Sequence, residues 1–202
     1  PVSCIGLGAW PIGVGMGPVA EATAIATVGA AIDAGISLLD TAQAYRTSEA
    51  TLGQALKDGY RQRCFLATKV SGDYSPTGIQ QAMDNSLKAL GVDEVDLYQI
   101  HSWNPRYPVA ASMEAMLKLQ KEGKTRYIGV SNYDAAQMSR ALETGFFHST
   151  QPRYNMFDRD IEATDLAFCR KHGIGVLVHS PLAKGLLTDT YRPCHLYTSD
   201  AA

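Results

Sequence analysis

Short apolar runs alternate with amphipathic segments along the chain, and this alternation limits the folds that the sequence can adopt. The runs are rich in β-branched and aromatic residues, which is typical of strands buried on both faces of a parallel sheet. Their spacing of about thirty residues is that of a strand–helix–strand unit. We therefore predict an α/β protein with strands over residues 2–7, 36–39, 64–68, 95–100, 127–130, 149–151 and 174–178.

The segments between these runs have the periodicity of helices, and a glycine follows closely on each of them. We predict helices over residues 21–34, 48–56, 77–90, 108–122, 134–143 and 161–172. The glycines are expected to end the helices in the left-handed conformation. Ser48 and Asp134 are polar residues of the kind that begins a helix.

Strict alternation of strand and helix leaves two main architectures, the doubly wound sheet and the (β/α)₈ TIM barrel. A doubly wound dinucleotide fold requires G-x-G-x-x-G in its first strand–helix turn, and the glycines from Gly6 to Gly17 do not have that spacing. A complete barrel takes about 250 residues. We therefore predict an incomplete TIM barrel over residues 1–192, with about seven of the eight strands.

Composition excludes several classes of function. The chain has 18 basic and 20 acidic residues and a net charge of −2, which gives no electrostatic reason to expect nucleic acid or an anionic membrane as partner. It has no apolar run of the ~18–20 residues that span a bilayer. The four cysteines lack metal-ligand spacing and are interpreted as free thiols of a cytoplasmic protein, and no metal site is predicted.

Three consecutive predicted strands end near an ionisable residue, namely Asp40, Lys69 and His101, and Tyr45 lies five residues after Asp40. The active site of a barrel lies at the carboxyl ends of its strands, and neighbouring strands are about 4.8 Å apart. A lone Asp–Lys pair can be a structural salt bridge. All four residues together indicate a proton-donating site, in which Lys69 lowers the pKa of the tyrosine and Asp40 orients Lys69.

Six segments, in this order along the chain, resemble motifs of the aldo-keto reductase family, and specifically its general aldo/keto reductases. They are Asp40–Tyr45, Ala67–Val70, Leu97–His101, Ile128–Asn132, Gln151–Asn155 and Ser180–Leu187. The resemblance implies an oxidoreductase that uses NADP, or NAD, to reduce a small aldehyde or ketone to an alcohol. A nicotinamide-binding regulatory subunit like the β-subunits of potassium channels, and an inactive fragment, are the alternatives.

The same resemblance assigns roles to individual residues. Tyr45 matches the general acid, Lys69 the residue that lowers its pKa, Asp40 the partner of Lys69, and His101 the group that orients the carbonyl. The matches to cofactor-binding positions lie in several strand-end loops; they are Gly8, Ala9, Trp10, Asp40, Ser131, Asn132, Gln151, His179, Ser180, Pro181, Leu182, Lys184 and Leu186. Ser131, Asn132 and Gln151 match the nicotinamide carboxamide ligands, and the loop 180–187 matches the segment over the pyrophosphate.

The chain departs from the family pattern at several positions. His179 stands where the family usually has Tyr or Phe, so we expect altered rather than lost cofactor binding. Arg46 stands where glycine is common, and we expect its charge to favour anionic substrates. The pattern stops after Pro193, and residues 193–202 are expected to be a non-native tail, a short natural tail being the alternative. An open barrel leaves two unpaired sheet edges, so the 202-residue chain alone is expected to be unstable or to aggregate.

Overall fold

A computed structural model describes residues 2–13, 15 and 17–189 of the chain. Seven parallel strands form one sheet in which each strand is hydrogen-bonded to its neighbours in chain order. The strands are β1 (Gly6–Gly8), β2 (Leu38–Asp40), β3 (Phe65–Val70), β4 (Val95–Ile100), β5 (Thr125–Ser131), β6 (Ser149–Gln151) and β7 (Gly175–Val176). Within the described residues, β1 and β7 form the two edges of the sheet, and the predicted seven strands are confirmed.

Helices follow the strands and cover the sheet. They are α1 (Trp10–Gly13), α2 (Glu21–Asp33), α3 (Ser48–Ala55), α4 (Pro76–Leu90), α5 (Val109–Lys121), α6 (Ala135–Leu142) and α7 (Asp165–His172). Short 3₁₀ turns cover Gln43–Tyr45, Arg61–Arg63, Asp160–Glu162 and Ala183–Gly185. The helices and the sheet share one core, whose largest fully buried apolar side chains include Tyr98, Phe147, Leu39, Leu66, Met83 and Met113.

The sheet is curled, as a barrel requires. In a flat sheet β2 and β6, which are four strands apart, would be separated by about 19 Å. The side-chain amide of Gln151 at the end of β6 nevertheless donates a hydrogen bond of 2.8 Å to Asp40 Oδ1 at the end of β2. The carboxyl ends of distant strands therefore converge, and the fold is a (β/α) barrel that remains open between β1 and β7 over the described residues. The predicted tail, 193–202, lies outside those residues.

The edge strands differ most from the predictions. The first strand was predicted over 2–7, but pairing with β2 begins only at Gly6, and Ile5 is 71% exposed. The last was predicted over 174–178, but only Gly175 and Val176 pair with β6. An edge strand has a partner on one side only, so its apolar pattern extends beyond its hydrogen-bonded length.

Helix ends follow the predictions with three exceptions. Asp134 begins α6 in a capping box with Gln137, and Gly91 and Gly173 end α4 and α7 with left-handed φ of 66° and 69°. The helix predicted from 161 begins only at Asp165, because residues 160–162 form a separate 3₁₀ turn.

The other two exceptions concern residues that the tertiary structure uses differently. Ser48 does not cap α3; its hydroxyl bonds with Thr41 Oγ1 at 2.9 Å and donates to the Ala9 carbonyl oxygen at 3.0 Å. Gly145 is not among the glycines with positive φ. A Cβ there would lie 2.6 Å from Leu117 Cδ1, so the glycine permits close packing of the α6–β6 loop against α5.

A charged network fastens the amino-terminal end of β4. The Asp96 carboxylate, whose side chain is 5% exposed, pairs with Arg61 at 3.0 Å and with Arg126 at 2.9 Å. It also accepts a hydrogen bond of 2.9 Å from the backbone N–H of Leu66 in β3. One carboxylate thus joins β3, β4, β5 and the turn before β3.

We expect Asp96→Ala to lower the free energy of unfolding by about 3–5 kcal/mol, because it leaves a part-buried guanidinium and a buried N–H without their acceptor. Urea unfolding of the protein that carries this chain measures the change. Asp84→Ala is the matched control, because Asp84 pairs with Lys124 at the surface and such pairs contribute about 0–1 kcal/mol. Equal losses in the two variants would contradict the role assigned to Asp96.

Candidate active site

A buried ion pair lies at the carboxyl end of the sheet. Lys69, the penultimate residue of β3, is fully buried, and its ammonium donates to Asp40 Oδ2 at 2.5 Å and to the Thr41 carbonyl oxygen at 2.9 Å. Asp40 is the last residue of β2, and its other carboxylate oxygen accepts from Gln151. Both Asp40 oxygens are therefore engaged, and the pair is held by β2, β3 and β6. The predicted Asp40–Lys69 contact is confirmed.

Tyr45 lies directly beside this pair. It ends the 3₁₀ turn that follows β2, and Lys69 Nζ is 5.3 Å from the centroid of its ring. The His101 ring packs against it edge-on, with 5.6 Å between ring centroids. The structure thus brings together Asp40, Tyr45, Lys69 and His101, the four residues predicted to share one site.

The pKa of Tyr45 differs from the expectation. Burial, and secondly the negative charge of Asp40, raise the pKa of the phenol above its ordinary value of 10. The predicted lowering by Lys69 is wrong for this arrangement, because the charge of Lys69 is offset by Asp40 in direct contact while the phenol has lost water. The Tyr45 hydroxyl therefore retains its proton throughout the neutral range.

His101 is the first residue after β4, and three hydrogen bonds determine its position. Its N–H donates to the Val70 carbonyl oxygen at 3.1 Å, and its own carbonyl oxygen accepts from Asn132 Nδ2 at 3.0 Å. Its ring Nδ1 bonds with Ser71 Oγ at 2.7 Å. Burial, and secondly the charge of Lys69, lower the pKa of the ring to about 4. The imidazole is therefore neutral at physiological pH.

The residues predicted to hold a carboxamide form a polar rim beside this site. Ser131 Oγ donates to the Gln151 carbonyl oxygen at 2.9 Å, and Asn132 Nδ2 also contacts Ser131 Oγ at 3.2 Å. Asn132 has a left-handed φ of 55°, which aims its side chain back over the ends of β4 and β5. The Gln151 side chain donates to Asp40, and its amide oxygen accepts no hydrogen bond from the described residues.

His179 lies at the same rim. Its Nε2 is 2.8 Å from Asn132 Oδ1, and its Nδ1 is 3.1 Å from Ser180 Oγ. Because an amide oxygen can only accept, His179 Nε2 carries the hydrogen. Burial, followed by the charge of Arg153, lowers the pKa of His179, so this ring is also neutral at pH 7.

The remaining predicted cofactor-binding residues lie in two loops. Gly8 ends β1, and the buried Ala9 donates its N–H to the Asp40 carbonyl oxygen at 2.8 Å, so that Trp10 begins α1 next to Asp40. The loop 180–187 contains a tight turn with left-handed φ at Ala183, Lys184 and Gly185. Leu182 and Leu186 are exposed on it, and Ser180 is tied to the β6 loop by Asn155 Nδ2 at 3.1 Å.

Three residues of the site were not predicted from the sequence. Thr41 and Ser48 link the Ala9 loop to the segment that carries Tyr45, and Ser71 contacts the ring of His101. All are small hydroxyl residues in loops or at a helix start, a composition common to many loops. Only their partners, which are 7 to 39 residues away along the chain, distinguish them.

The described residues carry neither a metal site nor a membrane-spanning helix. No group of three or more His, Cys, Asp or Glu side chains is arranged to hold a metal ion there. Over the same residues, no helix is long and apolar enough to cross a bilayer.

Comparison with known proteins bears on this site. The model of the aldo/keto reductase family matches residues 4–198. Aldo-keto reductase YhdN of Bacillus subtilis is 40% identical over 199 aligned residues, which cover 92% of this chain and 60% of that protein. The NADH-specific methylglyoxal reductase of Escherichia coli is 36% identical over 216 aligned residues, covering 94% of this chain and 66% of that protein.

Solved structures of aldo/keto reductases also resemble this chain in fold. An aldo/keto reductase from Klebsiella pneumoniae, crystallised with NADP and acetate, superposes with a TM-score of 0.84 at 33% identity. The alignment covers 99% of this chain and 72% of that one. The chain thus spans about three fifths to two thirds of the length of the two curated relatives.

The low pKa of His101 has a consequence for stability. Below its ordinary pKa of 6.5 the ring binds a proton in the unfolded chain but not in the folded one, so stability falls as the pH is lowered from 6.5 towards about 4. We expect His101→Gln, which cannot titrate, to lose less stability over that interval than the parent protein. Urea unfolding at a series of pH values measures the difference.

The matched control is His172→Gln, which removes an exposed ring on α7. Its stability should follow that of the parent over the same interval. If all three proteins lost stability in parallel, the assignment of a depressed pKa to His101 would be refuted.

Proposed function

The chain belongs to the aldo/keto reductase family, and on this basis we propose that the protein that carries it reduces aldehydes or ketones to alcohols with a nicotinamide cofactor. One observation carries the proposal. The buried Lys69–Asp40 pair, the protonated Tyr45 phenol and the neutral His101 ring meet at the carboxyl end of the barrel. This position is where barrel enzymes have their active sites.

The rim residues fit a nicotinamide. Its carboxamide offers both a donor and an acceptor, and the Gln151 amide oxygen has no partner among the described residues while Ser131 and Asn132 lie next to it. We propose that these three residues hold the carboxamide, that Gly8, Ala9, Trp10 and Asp40 lie beside it, that His179 lies against the ring, and that the loop 180–187 covers the pyrophosphate. NADP is the proposed cofactor, in line with the Klebsiella pneumoniae structure, and NAD is the alternative, in line with the Escherichia coli relative.

Tyr45 supplies the proton in the proposed reaction. When bound, a reduced nicotinamide would supply the hydride that the carbonyl carbon accepts, and negative charge would then develop on the carbonyl oxygen. The Tyr45 hydroxyl donates its proton to that oxygen, which completes the alcohol. Because burial raises the pKa of Tyr45, the proton is present at neutral pH and leaves only when a strongly basic oxygen has formed.

The ion pair stabilises the phenolate that remains. Lys69 Nζ, 5.3 Å from the ring centroid, is the cationic group beside the forming charge, and it is already fixed by Asp40 and by the Thr41 carbonyl oxygen. Groups that are oriented before the reaction need no reorganisation when charge develops. Asp40 therefore acts by holding Lys69, and Gln151 acts by holding Asp40.

His101 is proposed to orient the substrate. A neutral imidazole presents one N–H and one lone pair, and a carbonyl oxygen can only accept. The ring edge next to Tyr45 is thus a suitable donor to the same oxygen that takes the tyrosine proton. The pKa of about 4 also means that His101 does not supply the proton itself at neutral pH.

We also propose that the protein is cytoplasmic and that its binding partner is a small-molecule carbonyl substrate. Cys4, Cys64 and Cys169 are free thiols, which suits a reducing compartment.

We propose that the substrates are anionic, and the reason is the position of Arg46. It follows Tyr45, is exposed, and has φ 47° and ψ −102°, a conformation that favours glycine. No described residue forms an ion pair with it. Because Arg46 directly follows the proton donor in the chain, we propose that its charge attracts a carboxylate-bearing aldehyde to the mouth of the site.

We expect Arg46→Gly to lower kcat/KM for a carboxylate-bearing aldehyde roughly three- to tenfold, since one exposed ion pair contributes about 0.2–1 kcal/mol and a partly desolvated one more. Steady-state kinetics on a matched neutral aldehyde should show little change. Arg46→Lys retains the charge and should retain the preference. Equal losses on both aldehydes would refute a role in charge recognition.

The test of the proposed function is Tyr45→Phe. Loss of the phenolic proton should lower kcat/KM for carbonyl reduction by about 10²–10⁴-fold, the usual contribution of a general acid. Binding of the nicotinamide nucleotide, measured by fluorescence titration, should remain. Tyr60→Phe is the matched control, because Tyr60 bonds with Asp33 on the helical side of the barrel. Undiminished reduction by Tyr45→Phe would overturn the proposal.

A further inference from the structure

Ser71 lies between His101 and the 3₁₀ turn that ends at Tyr45. It follows β3 directly, and its hydroxyl lies 2.7 Å from Nδ1 of His101. Its backbone N–H donates to Gln43 Oε1 at 3.3 Å, and Gln43 begins the 3₁₀ turn that ends at Tyr45. One residue therefore contacts both the histidine and the turn that carries the tyrosine.

The direction of the Ser71–His101 hydrogen bond decides which group the ring presents to the substrate. A neutral imidazole has a single N–H. If Nδ1 donates to Ser71, then Nε2 offers only a lone pair, which cannot bind a carbonyl oxygen. If the Ser71 hydroxyl donates to Nδ1, then Nε2 carries the hydrogen and faces the site as a donor.

The surroundings favour donation by Ser71. The His101 ring nitrogen is the acceptor that the described residues provide for the Ser71 hydroxyl hydrogen, since the side chain has no other hydrogen-bond partner among them. The same residues give Nε2 no partner, so a hydrogen on that nitrogen stays available. The polar groups that face the ring from adjacent elements, Lys69, Asp40 and His179, form their own contacts with other atoms.

We propose that Ser71 is a positioning residue that donates to His101 Nδ1 and thereby holds the ring as its Nε2–H tautomer, with the donor directed at the substrate oxygen. This role requires no contact between Ser71 and the substrate or the cofactor. Ser71 acts through His101. Its backbone contact with Gln43 holds the His101 ring at a fixed position relative to the turn that carries Tyr45. The catalytic consequence rests on the function proposed above, whereas the tautomer does not.

The direct test is nitrogen NMR of the protein that carries this chain, because long-range ¹H–¹⁵N spectra distinguish protonated from unprotonated ring nitrogens. The His101 signals are assigned by their loss in His101→Gln. We expect an unprotonated Nδ1 and a protonated Nε2 in the parent protein at pH 7. We expect Ser71→Ala to shift the Nδ1 resonance and to mix the tautomers, and Ser71→Thr, which keeps the hydroxyl, to restore the parent spectrum.

Kinetics provide the second arm. The loss of one neutral hydrogen bond should lower kcat for carbonyl reduction about two- to tenfold in Ser71→Ala, with a smaller change in nucleotide binding. Ser71→Thr should recover most of that loss. The matched control is Ser102→Ala, one residue from His101, whose hydroxyl bonds with Tyr74 at 3.2 Å and not with the ring.

Two spectral outcomes overturn the inference: a protonated Nδ1 in the parent protein, or identical His101 spectra in the parent and Ser71→Ala. If Ser71→Ala does not fold, the parent and Ser71→Thr spectra still decide the direction of the hydrogen bond. If the spectra agree with the inference but Tyr45→Phe still reduces carbonyls, the proposed function fails while the tautomer assignment stands.

Discussion

A lysine ammonium that is removed from water needs a negative partner and further acceptors, and this requirement organises the carboxyl end of the barrel. Lys69 meets it with Asp40 and the Thr41 carbonyl oxygen, and Asp40 in turn is held by Gln151 from the far side of the curled sheet. The pair fixes the ends of three strands relative to one another. The turn with Tyr45 begins at Gln43, two residues after Thr41, so the position of the phenol follows from how the ammonium is satisfied.

The same pairing explains the electrostatics of the site. Because Asp40 offsets the charge of Lys69, burial is the leading cause of the shifts at both Tyr45 and His101: the phenol pKa rises and the imidazole pKa falls to about 4. Both side chains are therefore neutral at pH 7, and both can donate a hydrogen bond to an oxygen on which charge develops. A site of neutral donors around one compensated ion pair suits a carbonyl oxygen that becomes negatively charged only during the reaction.

The central part of the fold was predictable, and its edges were less so. Strand β4, with neighbours on both sides, has the predicted bounds, whereas β1 and β7 are shorter than their apolar patterns because, within residues 2–13, 15 and 17–189, each pairs on one side only. Asp134 caps its helix as predicted, since a cap depends on residues three positions away. Ser48 does not, because long-range partners, Thr41 and Ala9, take its hydroxyl.

The sequence by itself determined the parallel α/β architecture. It also placed Asp40, Lys69 and His101 close together at the carboxyl end of the sheet, because consecutive strands of such a sheet are neighbours. It also marked Tyr45 and the rim residues through their motifs. Only the tertiary structure decided that β6 returns to β2, that Ser71 lies against the His101 ring, and that burial raises the pKa of Tyr45. Each of these depends on the curl of the sheet and on the exclusion of water, which no local pattern of residues encodes.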